Sequence, residues 1–298
     1  MLKLKSRHIE AVAGSLMFLP YAVLLVLFAI MPIFLAGSTS MMPSLANPEG
    51  GLGNFMFVIN DFRFWPAVVN VSTFLAIYLP AMVIVVAVMS LLLDALKTKM
   101  TVPLRLAYLV PASITGAVAI LVWYFMLEPQ FSPFKDLLIG MGLTSGTQVF
   151  AQTNLVWVFA LMAFFTGAGN WIIVQYGSLQ SIPDEILEAA TIDGANAFQM
   201  AIQIKLPLIR KYLIYMVILT FAAGLQIFVE PFLISSSVYP NLARDWSLNQ
   251  LSYSMAFSGA NLGAALALSL MLLVVCVIVA LIVIFKSDFF DEARIKEK

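Results

Sequence analysis

The stretch Glu185 to Ile209 reads EILEAATIDGANAFQMAIQIKLPLI and lies between two long apolar segments. Unlike those segments, it carries several acids, a lysine and a glycine next to an aspartate. A polar stretch of this kind between two apolar ones predicts a helix–bend–helix that is exposed at a membrane surface. Periodicity alone leaves a second interpretation open, that of an ordinary interfacial loop.

The first half of this stretch predicts a short helix with a defined beginning and end. Ser181 and Pro183 mark its start, and acids that complement the helix dipole lie in or near its first turn, namely Asp184, Glu185 and Glu188. Asp193-Gly194 ends the helix, because glycine adopts the left-handed conformation that a sharp helix end needs. A second helical run from Asn196 to Lys205 is predicted to stop at Pro207.

Several residue types recur here at the spacing of a known pattern, EAAxxDGAxxxxxFxxIxLP. Through this pattern the stretch resembles the EAA loop of ATP-binding-cassette importer permeases. The resemblance implies that the first helix docks in a cleft of a cytosolic ATPase subunit and transmits its closure to the membrane helices. The residues implied in coupling to the ATPase are Glu188, Ala189, Ala190, Asp193, Gly194, Ala195, Phe198 and Pro207.

The composition places the whole chain in a membrane. Of its 298 residues, 62% are hydrophobic and 11% are charged, whereas soluble domains average roughly half apolar and a quarter charged. Sixteen basic and sixteen acidic residues cancel, which argues against a nucleic-acid surface. With one cysteine, Cys276, and one histidine, His8, the sequence offers neither a disulfide framework nor a metal site.

Six apolar runs are each long enough to cross a bilayer, which takes roughly 20 residues. We therefore expect an all-α polytopic membrane protein, a single permease domain over residues 1–298, with the EAA-like loop (residues 181–209) between spans four and five. The first run is longer than the hydrophobic core of a signal peptide, so we interpret it as a retained membrane helix. The predicted spans cover about residues 14–35, 67–93, 104–127, 155–177, 212–234 and 263–285.

The distribution of lysine and arginine predicts the orientation. With both termini inside, only three basic residues fall in outer loops, namely Arg63, Lys135 and Arg244. The other thirteen fall on the inner side, namely Lys3, Lys5, Arg7, Lys97, Lys99, Arg105, Lys205, Arg210, Lys211, Lys286, Arg294, Lys296 and Lys298. This positive-inside bias places the EAA-like loop in the cytoplasm, where an ATPase would dock.

The sequence predicts no catalytic site. It lacks the G-x-x-x-x-G-K-[ST] phosphate loop, so the chain is not expected to be the ATPase itself. A Ser/His/acid set cannot be assembled around the lone His8. We expect no enzyme activity and no cofactor in this chain, with ATP and Mg²⁺ bound by partner ATPase subunits.

Polar side chains inside the spans are the candidates for solute contact. Glu230 is the one carboxylate well inside the predicted boundaries, and Gln226 and Thr220 lie in the same span. The alternative for each is an interhelical hydrogen bond of modest energy. For the glycines at 167 and 169, close helix packing is the alternative to solute contact.

The resemblance adds positions to this list. In the maltose-type permease the solute is held at mid-membrane by the helices that flank the EAA loop. Counted from that loop, Gly167 matches a glycine that lines the site, and Thr220 stands where that permease has serine. Asn170, Gly224 and Ile227 stand where it has tyrosine and asparagines. The predicted solute contacts are Gly167, Asn170, Thr220, Gly224, Gln226, Ile227 and Glu230.

The resemblance implies one permease subunit of an ATP-driven, binding-protein-dependent importer, for a sugar or related polar solute. The implied partners are a second permease subunit, two ATPase subunits and an extracellular solute-binding protein, in a bacterial or archaeal cell membrane. An ATP-independent secondary transporter or channel is the alternative, and it would require intramembrane charges on several helices. A membrane-embedded enzyme is disfavoured by the missing catalytic set.

Overall fold

The computed structural model describes residues 16–44, 47–48, 50–96, 101–238 and 244–287. Within these ranges every element of regular secondary structure is a helix, and the one β-type pairing is an isolated bridge between Ser44 and Asn47. The predicted all-α class is confirmed. Eight of the sixteen basic residues counted for the orientation, including Lys3, Lys97 and Arg294, lie outside the described residues, so the orientation stays a prediction.

Fourteen helical segments follow one another along the described chain. They are α1 (Leu16–Ser40), α2 (Gly53–Asn60), α3 (Phe64–Ala95), α4 (Thr101–Ser113), α5 (Gly116–Leu127), α6 (Lys135–Gly140), α7 (Gly146–Val149), α8 (Leu155–Leu179), α9 (Asp184–Ile192), α10 (residues 197–208), α11 (Arg210–Leu225), α12 (Val229–Leu233), α13 (Leu248–Tyr253) and α14 (Leu262–Lys286).

Five stretches of the described residues are long and apolar enough to cross a membrane, namely α1, α3, α8, α14 and Arg210–Ser236, which comprises α11 and α12. The bent pair α4–α5 makes a sixth if it is counted as one span. The six predicted spans therefore each have a counterpart. Span two is longer than predicted, since α3 runs over 32 residues rather than residues 67–93. Pro80 lies inside α3, which membrane helices tolerate.

The third predicted span, residues 104–127, is not one straight helix. It consists of α4 and α5, which meet at an angle of 99°. Thr115 is extended, with φ −125° and ψ 165°, and Gly116 has φ +65°, a conformation that favours glycine. Pro111, in the last turn of α4, also lacks the N–H that would continue the helical ladder.

The fifth predicted span, residues 212–234, is also broken. The helix α11 ends at Leu225, and α12 begins at Val229 after a non-helical backbone over residues 226–228. Pro231 has no N–H to donate to the carbonyl of Ile227 four residues earlier, so a continuous helix would lose that hydrogen bond. At the same break, the carbonyl of Gln226 accepts from the Asn249 side-chain amide at 2.9 Å.

The chain forms two compact units, residues 1–61 with 252–273 and residues 62–251 with 274–298. The single domain over residues 1–298 stays a prediction. In the first unit, the fully buried Asn54 donates to the carbonyls of Ser40 and Met42 at 2.9 and 3.1 Å and accepts from the Ser44 hydroxyl at 3.0 Å. Gly263 packs on that amide, since a Cβ there would lie 2.7 Å from Asn54 Nδ2.

In the second unit, α3 and α8 pack along each other, with α4 against α8 and α11 against α3. The helix α3 buries one stripe at a helical spacing of three or four residues, namely Val71, Phe74, Leu75, Tyr78, Met82, Val86, Ser90 and Leu93. Trp246 closes the end of this core, with its ring 4.7 Å from that of Phe159 and 6.3 Å from that of Phe74.

Small residues in α8 allow the neighbouring helices to approach its backbone closely. At Gly169, an added Cβ would overlap the backbone carbonyl of Tyr108 in α4. At Gly167, an added Cβ would lie 3.3 Å from the hydroxyl of Tyr78 in α3. Gly169 is therefore a packing position, the alternative that the sequence left open for it.

We predict that Gly169→Ala destabilises the protein by about 1–3 kcal/mol, because the backbone of α4 would have to move away from α8. Thermal unfolding in detergent measures the change. Gly177→Ala, in the same helix, is the matched control, since a Cβ there would meet no atom within 4 Å. Equal melting temperatures for the two variants would contradict the assigned packing.

Candidate functional site

The first arm of the EAA-like loop is the helix α9. It begins after Pro183, with Asp184 and Glu185 in its first turn, and it ends at Ile192. Gly194 follows with φ +85°, a conformation that a residue with a Cβ adopts only with strain. The predicted helix and its break at Asp193-Gly194 are confirmed as local structure.

The second arm, α10, starts with a capping box. The Asn196 side chain accepts from the Gln199 N–H, and the Gln199 side chain accepts from the Asn196 N–H, both at 2.9 Å. The arm continues through a π-helical turn, Met200–Lys205, and ends at Leu208 rather than before Pro207. Pro207 lies in the short α-helical turn Leu206–Leu208 that completes this arm directly after the π-helical turn.

Most of the residues predicted to couple to an ATPase lie on the surface of this loop. Glu188, Ala189, Asp193, Gly194, Phe198 and Pro207 are exposed, Ala195 is half-buried and Ala190 is buried. Two large apolar side chains on either side of the bend are strongly exposed, Ile192 at 85% and Phe198 at 74%. The sequence reasoning missed Ile192, although it is the last residue before Asp193-Gly194. Exposed apolar side chains of this size suit contact with another surface.

The second candidate site is a cavity of ≈ 320 Å³ between α3, α8 and the broken fifth span. The non-helical segment 226–228 forms part of its wall. Irregular backbone at membrane depth is tolerated where it lines a cavity, and broken membrane helices often carry binding sites. The lining residues are Phe74, Tyr78, Ala163, Thr166, Gly167, Ala223, Gly224, Gln226, Ile227, Phe228, Val229 and Glu230.

Five of the seven residues predicted to contact solute line this cavity, namely Gly167, Gly224, Gln226, Ile227 and Glu230. The other two lie elsewhere. Thr220 is buried, and its hydroxyl has no hydrogen-bond partner among the described residues. Asn170 is exposed, one turn further along α8 than the cavity.

The sequence reasoning missed the aromatic wall. Phe74 and Tyr78 stack with ring centroids 5.1 Å apart and an interplanar angle of 17°. Their spacing of four residues in one apolar run is a signal that could have placed them on the same helix face. Gly224 allows α11 to approach this wall, since a Cβ there would lie 2.6 Å from Leu75 Cδ2 and 3.4 Å from Phe74.

The cavity combines flat aromatic rings with an amide, a carboxyl group and a phenol, and it has no further ionisable lining residue. Such a lining suits a small polar molecule that carries both hydroxyl groups and apolar ring faces. A larger cavity of ≈ 950 Å³ lies between the bent pair α4–α5 and α8, and its lining is almost entirely apolar. Without convergent polar groups, that larger cavity is the weaker candidate for a polar solute.

Metal chemistry has no support in the described part of the chain, where no group of three or more His, Cys, Asp or Glu side chains could hold a metal ion.

The comparisons with known proteins identify the family. A family model described as "Binding-protein-dependent transport system inner membrane component" matches residues 100–285. The chain belongs to this family. It is a permease subunit of a binding-protein-dependent importer, and this membership favours the importer over the ATP-independent transporter or channel.

Individual relatives agree with this membership. The chain is 25% identical over 215 residues to the "Probable starch degradation products transport system permease protein AmyD" of Thermoanaerobacterium thermosulfurigenes, covering 71% of each chain. It is 24% identical over 230 residues to the trehalose/maltose transport system permease protein MalF of Thermococcus litoralis, covering 75% of this chain and 77% of that one.

The fold of this inner membrane component matches a solved structure. A crystal structure of a bacterial alginate ABC transporter, in complex with an alginate pentasaccharide-bound periplasmic protein, contains a chain that superposes with a TM-score of 0.79 at 18% identity. The superposition covers 95% of this chain and 96% of that one. At this identity, the match establishes the fold alone.

We predict that Asn196→Ala loosens the second arm of the EAA-like loop. Losing a helix cap costs about 1 kcal/mol, which raises amide exchange in residues 197–205 about fivefold. Hydrogen–deuterium exchange with mass spectrometry measures this in the detergent-solubilised protein. The control is Gln203→Ala, an exposed amide in the same arm. Unchanged exchange in Asn196→Ala would show that the capping box does not hold the arm.

Proposed function

We propose that this permease subunit imports a sugar or a related polar solute, and that the solute contacts the 320 Å³ cavity. The observation that carries the proposal is the broken fifth span, which brings Gln226 and Glu230 to the stacked rings of Phe74 and Tyr78. Aromatic faces accept the apolar faces of sugar rings, while amide and carboxylate groups bind hydroxyls. The carbohydrate names of the relatives support the same solute class.

The EAA-like loop is proposed to receive the ATPase. Its exposed side chains, Ile192 and Phe198, flank the bend at Gly194 and offer an apolar surface with Glu188 on the first arm. An ATPase subunit that contacts this surface can move the loop when it closes on ATP. The helices that precede and follow the loop, α8 and α11, both line the cavity. Motion of the loop would therefore open the cavity to one side of the membrane and then to the other.

The assembly that this mechanism requires has several chains. We propose a second permease subunit, two ATPase subunits that hold ATP and Mg²⁺, and an extracellular binding protein that delivers the solute. The chain itself is proposed to carry no ATPase site and no cofactor. A multi-pass protein of this family lies in a cell membrane, and we propose a bacterial or archaeal one.

We predict that Glu188→Lys lowers ATP-dependent uptake about tenfold or more. A loss of about 1.4 kcal/mol in the free energy of docking corresponds to a tenfold weaker association. The reversed charge would oppose docking of the ATPase without disturbing the membrane helices, because Glu188 is exposed. Uptake of radiolabelled maltose, trehalose and related sugars by cells expressing the complete transporter measures the effect. Lys135→Glu, a charge reversal on α6, is the control; equal uptake by both variants would refute docking at this loop.

We predict that Gly167→Phe lowers uptake about tenfold or more by filling the cavity, since a Cβ at Gly167 already lies 3.3 Å from the Tyr78 hydroxyl. Gly177→Phe is the matched control in the same helix, because that position faces open space. The same uptake assay applies, with the amount of assembled transporter measured in parallel. Normal uptake by a correctly assembled Gly167→Phe transporter would exclude the cavity from the solute path.

A further inference from the structure

The carboxylate of Asp94, in the last turn of α3, contacts Gln180, directly before the EAA-like loop, and Lys205, in the second arm of the loop. Its Oδ2 lies 2.5 Å from Nζ of Lys205, the last residue of the π-helical turn in the second arm. Its Oδ1 accepts a hydrogen bond of 2.6 Å from Nε2 of Gln180, four residues before the first arm begins. One side chain of span two thus contacts a residue before the first arm of the loop and a residue of the second arm.

The ion pair is shielded from water. The Asp94 side chain is 8% exposed and the Lys205 side chain 18%. Exposed ion pairs contribute little, whereas removing one partner of a shielded pair leaves the other charge without compensation. The contact between α3 and the loop is therefore a firm one, and a displacement of the loop would move the end of α3 with it.

The same helix carries the aromatic wall of the cavity. Tyr78 lies 16 residues before Asp94 in α3, which corresponds to roughly 24 Å along a helix that rises about 1.5 Å per residue. Phe74 lies one turn further. A continuous helix therefore connects the side chain that holds the loop to the rings that line the cavity.

We propose that Asp94 is a positioning residue, which transmits movement of the EAA-like loop through α3 to the aromatic wall of the cavity. This proposal rests on the proposed docking of an ATPase at the loop. The loop is joined along the chain to α8 and α11, which form two walls of the cavity. The Asp94 contact gives the third wall, α3, its own link to the loop.

The test uses the complete transporter, with its binding protein, in proteoliposomes and reads cavity exposure directly. Cys276 is replaced by serine, and Ala223, which lines the cavity, is replaced by cysteine. The rate of labelling by a membrane-impermeant maleimide is then measured with ATP and vanadate and without nucleotide. The ratio of the two rates reports how far ATP changes access to the cavity, and ATP hydrolysis is measured in the same samples.

We expect Asp94→Asn to reduce the ATP-dependent change in labelling about fivefold or more, while the complex still hydrolyses ATP. A factor of about five is the lower end of the range typical for coupling between two sites in a protein. The swapped pair Asp94→Lys with Lys205→Asp should restore part of the change, because the link is re-formed with reversed charges. Asp136→Asn, the same substitution at an exposed site on α6, should leave the change intact. A merely structural role would lower the amount of folded complex but not this ratio.

If the Asp94→Asn transporter does not assemble, Gln180→Ala is the alternative variant. It removes only the hydrogen bond that the exposed Gln180 side chain donates to Asp94, and it should also reduce the ratio. A full ATP-dependent change in Asp94→Asn, or in Gln180→Ala when only that variant assembles, would overturn the proposal. An unmutated transporter whose labelling does not respond to ATP would instead refute the proposed ATP-driven function, so the two failures are distinguishable.

Discussion

The close packing of α8 against both α3 and α4 is the constraint on which the second unit depends. In lipid, helices gain little from apolar surface alone, so small residues that let backbones approach provide much of the association energy. Gly169 brings α8 to the carbonyl of Tyr108, and Gly167 brings it to the Tyr78 hydroxyl and the Met82 methyl group. The same short stretch of α8 thus holds the bundle together and forms one wall of the cavity.

Two interruptions of the helices create the space that function needs. The bend at Thr115-Gly116 borders the larger apolar cavity, and the break at residues 226–228 borders the smaller, more polar one. Backbone groups at these points must be satisfied within the protein, as the Asn249 amide does for the Gln226 carbonyl. A transporter gains from such breaks, because they expose polar groups to a solute at membrane depth without exposing them to lipid.

Much of this arrangement follows from local sequence. Hydropathy predicted the spans, and the Asp193-Gly194 pair predicted the end of α9. Spacing from the EAA-like pattern led to Gly167, Gly224 and Ile227, and polarity within the spans led to Gln226 and Glu230, which share one cavity with them. The breaks at Gly116 and Pro231 were not predicted, although both residue types signal them, because hydropathy averages over a window longer than the break. The contacts of Asp94 with Lys205 and Gln180 join residues 111 and 86 positions apart, and no local pattern encodes such a pairing.

The central claim is that this chain is a membrane subunit of an ATP-driven assembly, and isolating that assembly tests it most directly. The tagged chain would be solubilised in a mild detergent and purified, and the proteins that remain bound would be identified by mass spectrometry. We predict recovery of an ATPase with a G-x-x-x-x-G-K-[ST] phosphate loop together with a second permease subunit. Recovery of the folded chain alone, active in solute uptake by liposomes without ATP, would contradict the account.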